Sequence, residues 1–240
     1  MLQVHVIPCL KDNYAYLIGD SDSHEAWVVD PSEAAPIEAA LRKLGLQLTL
    51  ILNTHHHWDH VGGNLELKSH WKVPIVCSAY DQPRIDGADR GVHAGDDLKF
   101  GSQRVQIIEI PGHTLGHIAF YFERQSFVFT GDTLFSAGCG RLFEGTPEQM
   151  YTSLQTLARL PDETQVFCGH EYTEANLKFA RVVEPENSEM RDYASVVRAK
   201  RLQGQPSIPS TIAIEKDVNV FVRAKTADQF KVLRQRKDDF

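Results

Sequence analysis

Cysteine is scarce: Cys9, Cys77, Cys139 and Cys168 are all that the 240 residues contain, and no two form a C-x-x-C pair. That excludes a zinc ribbon and a disulfide framework. The four are read as reduced thiols, three of them packed beside strands. Long apolar runs are missing too, with no stretch of about 18 residues to cross a bilayer. The start, MLQVHVIPCLKDNY, has neither the basic patch nor the apolar core of a secretion signal. A cytoplasmic protein without a membrane partner is therefore expected. Positive charge is in deficit, 25 Lys and Arg against 32 Asp and Glu for a net −7, which argues against a nucleic-acid partner. Repeats and low-complexity tracts are absent. What is present is ordinary globular composition, 42% hydrophobic and 24% charged, in a length that suits one large domain or a medium domain with a small appendage.

The charge is unevenly spread. Residues 1–170 carry 12 basic and 21 acidic side chains, whereas residues 171–240 carry 13 and 11. The front of the chain is suited to holding cations, and the tail is mildly basic.

Short β-branched or aromatic runs bounded by Gly, Asp or Asn predict strands at 4–7, 14–18, 26–30, 48–52, 73–77, 105–110, 118–122 and 126–130. Helical spacing appears over 31–46, closed by Gly45, over 63–71, and from Pro147 to about Leu160 behind Thr146. The turn residues 123–126 make at least one strand pair antiparallel. Hairpins mixed with single helices predict an α/β fold in which two sheets pack on each other with helices outside. Beyond Cys168 the pattern turns helical, over 173–183, 189–203 and 226–237, with a Pro-containing break at 205–210. The division expected is a catalytic domain over 1–168 and a small helical domain over 169–240.

Directly after the apolar strand at 48–52 comes Thr54-His55-His56-His57-Trp58-Asp59-His60. Gly112-His113, Gly131-Asp132 and Gly169-His170 each follow an apolar strand in the same way. A lone Gly-His is a turn. Four strand ends that each turn at or near a polar donor would gather those donors at one edge of the sandwich. His55, His57, Asp59, His60, His113, Asp132 and His170 are more than one tetrahedral ion can use, so two ions are implied. Alternation along an extended loop lets His55 and His57 share one ion and Asp59 and His60 reach the other, with Asp132 bridging. A His- and Asp-rich set without thiolate suits Zn, Fe or Mn and does not choose among them. Two ions about 3.5–4 Å apart would hold a water and lower its pKa toward about 7, giving a hydroxide nucleophile. Hydrolysis is the chemistry expected, with Asp59 and Asp132 as the catalytic carboxylates.

These residues resemble the metallo-β-lactamase superfamily, through T-H-x-H-x-D-H at 54–60 with His113, Asp132 and His170 in order. The closer resemblance is to glyoxalase II, the hydroxyacylglutathione hydrolases. It rests on Asp12-Asn13-Tyr14, on Pro111-Gly112-His113-Thr114-x-Gly116-His117, on Thr130-Gly131-Asp132-Thr133-Leu134-Phe135, on Gly138-Cys139-Gly140-Arg141 and on Gly169-His170-Glu171-Tyr172-Thr173. The resemblance implies a metallo-β-lactamase-like αββα sandwich of two mixed sheets followed by a glutathione-binding helical domain. It also implies hydrolysis of S-D-lactoylglutathione to glutathione and D-lactate, the second step of methylglyoxal detoxification, by a monomer. Glutathione contacts would fall on Arg141, Phe143, Tyr172, Arg234 and Lys237, and a basic tail suits an anionic ligand. Many relatives place a Tyr where this chain has Phe143, so a hydroxyl contact is missing there, and the backbone N–H groups of 142–143 are the substitute expected. Near 219–223 the chain reads Asn-Val-Phe-Val-Arg, without the Pro that relatives usually have after the Asn, which makes the local turn an open point.

Other residues receive plainer readings. His56 and Trp58 should point away from the donors and pack the loop, and His117 should orient the His113 loop. His5, His24, His70 and His93 are surface or core residues, and Cys139 lacks the partner a nucleophile needs. Rival functions on the same fold are a metal-dependent lactonase, another thioester hydrolase, a β-lactamase, a persulfide dioxygenase and a nuclease. A non-catalytic redox scaffold is the rival from outside enzymology.

Overall fold

The computed structural model describes residues 2–240. The alternating apolar runs become strands β1 (Leu2–Cys9), β2 (Asn13–Asp20), β3 (Glu25–Val29) and β4 (Gln47–Leu52), with helix α1 (Ala34–Leu44) before β4. Helices α2 (Trp58–Val61) and α3 (Asn64–Trp71) lead to β5 (Ile75–Ser78) and β6 (Arg90–Val92), completing a six-stranded sheet in sequence order. The second sheet is built from β7 (Leu98–Phe100), β8 (Gln103–Glu109), β9 (Ile118–Phe122) and β10 (Phe127–Gly131). A small hairpin of β11 (Leu134–Phe135) and β12 (Gly138–Cys139) and helix α4 (Pro147–Leu157) precede its strand β13 (Gln165–Cys168). The tail supplies α5 (Thr173–Val183), α6 (Ser188–Leu202), β14 (Ser210–Thr211), α7 (Ile212–Val218) and α8 (Ala227–Asp238). β14 joins the second sheet, whose order is β14-β13-β10-β9-β8-β7.

Side-chain alternation sorts residues into layers. Tyr16 and Ile18 of β2, Trp27 and Val29 of β3, Phe120 and Phe122 of β9, and Phe127 and Phe129 of β10 meet between the sheets. Ala15, Leu17, Ala26 and Val28 turn the other way, onto α1 and α3. Ala119, Tyr121 and Val128 turn outward from the second sheet onto α4 and the tail helices. The result is an αββα sandwich. Phe120, Phe122 and Phe129 are fully buried, and truncating such a ring to Ala costs about 3–5 kcal/mol.

Strand direction decides where the site lies. β3 and β4 run parallel, as do β10 and β13. β8 is antiparallel to β9, which is antiparallel to β10, so β8, β10 and β13 share a direction and end at one edge. Ile118 N donates to Thr54 O (3.0 Å) and Tyr14 N to Gly169 O (2.8 Å), bringing the edges of the two sheets together there.

Gly45 closes α1 in the left-handed conformation, and Thr146 with Gln149 forms the capping box of α4, as their sequence signals predict. No helix of the described residues is long and apolar enough to cross a membrane. Five strands escape the sequence pattern: β6, β7, β11, β12 and β14 are two or three residues long, too short for periodicity to show. The turn at 219–223 forms without a Pro. Buried Asn219 accepts from Phe221 N (3.1 Å) and donates to Gly138 O (2.9 Å) and Glu215 Oε2 (2.8 Å), so its side chain does the turning.

Candidate metal centre and substrate cleft

β4 delivers His55 just beyond its end, and His57 is the last extended residue before the single helical turn α2. Asp59 and His60 therefore lie on a helix, and the expected alternation along an extended loop stops at His57. Gly131, at φ +46, makes the left-handed turn that presents Asp132. A Cβ at Gly131 would also lie 2.3 Å from Thr54 Oγ1.

All seven candidate donors converge. Ligand atoms of His55, His57 and His113 lie within 4.8 Å of one another, and so do those of Asp59, His60 and His170. Asp132 stands between the two groups, with Oδ1 3.4 Å from His60 Nε2 and Oδ2 3.5 Å from His113 Nε2 and 3.3 Å from His170 Nε2. His55 Nε2, His60 Nε2 and Asp132 Oδ1 are buried without a hydrogen-bond partner. Burying such atoms unpaired is costly, and cations between the two groups would satisfy them. Two divalent ions fit this donor set, which is all nitrogen and oxygen.

The far side of most donors is held. His60 Nδ1 meets Asp30 Oδ2 (3.1 Å), His113 Nδ1 donates to Arg141 O (2.8 Å), and His170 Nδ1 meets Asp12 Oδ1 (2.9 Å). Asn13 Nδ2 donates to both Asp59 O and Asp59 Oδ2 at 3.0 Å. These contacts turn each Nε2 inward and fix the ring orientation. Asp30 escaped the sequence reading. It is the first polar residue after the apolar β3, and it also accepts from Thr54 N (2.8 Å) and Thr54 Oγ1 (2.6 Å).

Electrostatics follow from burial and neighbours. Burial, with the neighbouring imidazoles, drives His55 well below the ordinary histidine value and takes His57 down to about 4. Both are neutral at pH 7; His57 Nδ1 faces His113 Nε2 (3.0 Å), and His55 Nδ1 faces Thr54 Oγ1 (3.1 Å). Burial would raise Asp132, but the His60 and His170 imidazoles outweigh it and hold the carboxyl well below its usual range.

A cleft of about 660 Å3 runs from these donors past Phe143 and Tyr172 to Arg141, Arg234 and Lys237. The Tyr172 ring stacks on His170, 4.7 Å away and nearly parallel. Arg141 is exposed at the rim. Lys237 Nζ donates to Ala175 O (3.1 Å) over the rings of Phe179 and Phe240. Arg234 is only 5% exposed and is already engaged, with its Nη1 donating to Cys139 O (2.9 Å) and Nη2 to Asp238 Oδ1 (3.0 Å).

Three expectations need correction. Phe143 N already donates to His113 O (3.2 Å), so that N–H is not free for a ligand; the Phe143 ring instead lies edge-on to His57 and His113. Trp58 does not pack the loop but stands 72% exposed on the cleft wall, because α2 begins there and turns it outward. The His117 backbone closes the His113 loop, its carbonyl accepting from Ile110 N (2.9 Å), but its side chain does not; Nε2 accepts from Asp132 N (3.1 Å), and the ring stacks on His55. His56 does face away, toward Asp81 and Glu144. Cys139 reaches the cleft, but burial pushes its thiol up to about 11, which makes it a poor nucleophile.

Comparison with known proteins agrees with this geometry. A family model described as the metallo-beta-lactamase superfamily matches residues 11–170, and one described as the hydroxyacylglutathione hydrolase C-terminus matches residues 171–240. The hydroxyacylglutathione hydrolase of a Synechococcus species is 46% identical, with each chain covered in full. Among solved structures, ETHE1 from Myxococcus xanthus superposes with a TM-score of 0.74 at 27% identity, over 98% of this chain and 90% of that one. TTHA1623 in a di-iron-bound form superposes with a TM-score of 0.60 at 31% identity, over 70% of this chain and 91% of that one. Seven converging donors on an αββα sandwich and a tail that matches along its whole length lead to one placement: the chain belongs to the metallo-beta-lactamase superfamily and, within it, to the hydroxyacylglutathione hydrolase family.

Proposed function

We propose that this protein hydrolyses S-2-hydroxyacylglutathione thioesters, S-D-lactoylglutathione foremost, to glutathione and the 2-hydroxy acid. The observation that carries the reading is the continuity of the cleft, which has the donor cluster at one end and Arg141 and Lys237 at the other. Glutathione has two carboxylates and one ammonium, so its net negative charge matches the cationic end. In this reading His55, His57 and His113 would hold one ion and Asp59, His60 and His170 the second, with Asp132 placed between the two groups. Residues 1–168 form the catalytic domain and 169–240 the glutathione-binding domain of a cytoplasmic monomer.

Divalent ions held there supply Lewis acidity, activating water and polarising an acyl carbonyl. Zinc is the metal proposed, and metal analysis of the purified protein separates it from iron and manganese. The chain itself orients the attacking water: Asp59 Oδ2 and Asp132 Oδ2, 3.4 and 3.3 Å from His170 Nε2, are hydrogen-bond acceptors on the cleft wall. Asp132 stays ionised because His60 and His170 hold its proton affinity down. Glutathione departs as a thiolate, a good leaving group, so no strong acid is required of the chain. Arg141, Tyr172 and Lys237 bind the peptide part, and Arg234, committed to Cys139 O and Asp238, lines the same wall.

The test is loss of thioester ultraviolet absorbance when the protein meets S-D-lactoylglutathione, with and without prior chelation. Rapid hydrolysis abolished by chelation is expected. A metal-loaded protein that leaves the thioester intact and opens lactones instead would refute the reading.

A further inference from the structure

A charged network lies beside the cleft, and the hydrolytic reading leaves it without a role. Asp81, with no exposed surface, faces His56 Nδ1 (3.2 Å) through Oδ2 and Arg84 Nη1 (3.4 Å) through Oδ1. Arg84 meets the Glu144 carboxylate with both terminal nitrogens, a forked pair that fixes direction as well as distance. Glu144 Oε2 also accepts from Leu115 N (2.8 Å), and Oε1 lies 3.7 Å from His56 Nε2. Arg84 holds the Glu144 carboxyl down at about 2, so it remains charged.

Three segments meet at this network. One is the histidine loop through His56, one is the loop that presents His113, and one is the loop that carries Arg141 and Phe143. The last two are zipped together by Phe143 N to His113 O (3.2 Å), Gly145 N to Gly112 O (3.1 Å) and His113 Nδ1 to Arg141 O (2.8 Å). A Cβ at Gly145 would lie 2.7 Å from the Gly112 backbone, so the zipped segments touch main chain to main chain. Glu144 closes this zip and ties it to Arg84.

We propose that Glu144, gripped by Arg84 and by Leu115 N, is a positioning residue that holds the His113 loop and the Arg141 loop as one unit, so that the donor cluster and the cationic end of the cleft keep a fixed relative placement. The inference rests on the hydrolase reading above. An isolated exposed ion pair is worth little; this one is anchored on buried Asp81 and on a backbone N–H beside a donor.

The test uses the full-length protein loaded with Co2+, comparing wild type with Glu144→Gln and Glu144→Ala. Gln keeps an acceptor for Leu115 N and tolerates folding, while Ala removes the clamp. Glu144→Ala should shift the visible Co2+ absorption, weaken Co2+ binding roughly 10–100-fold and raise KM for S-D-lactoylglutathione, with Glu144→Gln between it and wild type. An unchanged spectrum and KM accompanied only by a lower Tm would overturn the proposal and leave a plain structural pair. A wild type whose Co2+ spectrum responds to Glu144→Ala but which leaves S-D-lactoylglutathione intact would support the clamp and overturn the hydrolase reading.

Discussion

The two ends of the cleft are built differently. At the donor end, buried or half-buried side chains from strand ends and from α2 are held by residues behind them: Asp30 behind His60, Asp12 behind His170, Asn13 behind Asp59. At the cationic end, Arg141 is exposed, with Asp238 3.7 Å away, and Lys237 makes one hydrogen bond, to Ala175 O, over the rings of Phe179 and Phe240. Rigid placement suits a group that must align reacting atoms. A flexible cation suits a ligand's carboxylate. Substitutions at the donor end should therefore show in kcat and metal content, and substitutions at the cationic end in KM.

The largest expected effect is at Asp132. Asp132→Ala should lower kcat on the order of 10³-fold and reduce the metal retained after gel filtration; normal turnover with both ions present would break the comparison. Next is buried Glu215, which accepts from Ala137 N (2.9 Å) and from Asn219 Nδ2 (2.8 Å). Burial raises its carboxyl from 4.5 to about 7. A folded value above the unfolded one means that the stability it contributes is fully present below pH 4.5 and is lost as pH rises through 7. At about 1.4 kcal/mol per pKa unit, the loss is on the order of 3 kcal/mol by pH 8. Glu215→Gln should remove that slope, so urea midpoints of variant and wild type measured at pH 5 and pH 8 should converge at the acid end and part at the alkaline end.

A smaller effect is expected behind the donors. Asp30→Asn keeps the shape but loses the charge facing His60 Nδ1, and metal affinity should fall about 10–100-fold, read by competition with a chromophoric chelator. The smallest is at the rim, where Lys237→Ala should raise KM about tenfold, the worth of one charge-assisted hydrogen bond, with kcat nearly unchanged. An equal fall in kcat there would mean that the two ends are not separable.

The donor set was legible in the sequence because His113, Asp132 and His170 each follow a Gly at the end of an apolar strand, and His55, His57, Asp59 and His60 crowd into one short motif after β4. Asp30 also follows an apolar strand, but Val29 precedes it where the strand ends before His113, Asp132 and His170 carry Gly, so no turn signal marks it. Trp58 was misplaced for a different reason. Its direction depends on where an extended loop becomes a helix, and the four residues of α2 are too few to carry a periodic signal. His117 and Phe143 depended on partners far along the chain, Asp132 N and His113 O, which no local pattern reveals. The strands β2, β3, β9 and β10 were readable because each is a short apolar, β-branched or aromatic run, buried on both faces and bounded by turn residues. The edge strands β6, β7 and β14 were not, since pairing with a neighbour and not their own composition makes them strands.

The most direct test of a cleft with separable ends compares Arg141→Ala/Lys237→Ala with wild type on two substrates, S-D-lactoylglutathione and a lactoyl thioester of a small neutral thiol. The account predicts that kcat/KM falls about 100-fold on the glutathione thioester, two charge-assisted contacts' worth, and hardly at all on the small one. Equal losses on both substrates, or none on either, would contradict it.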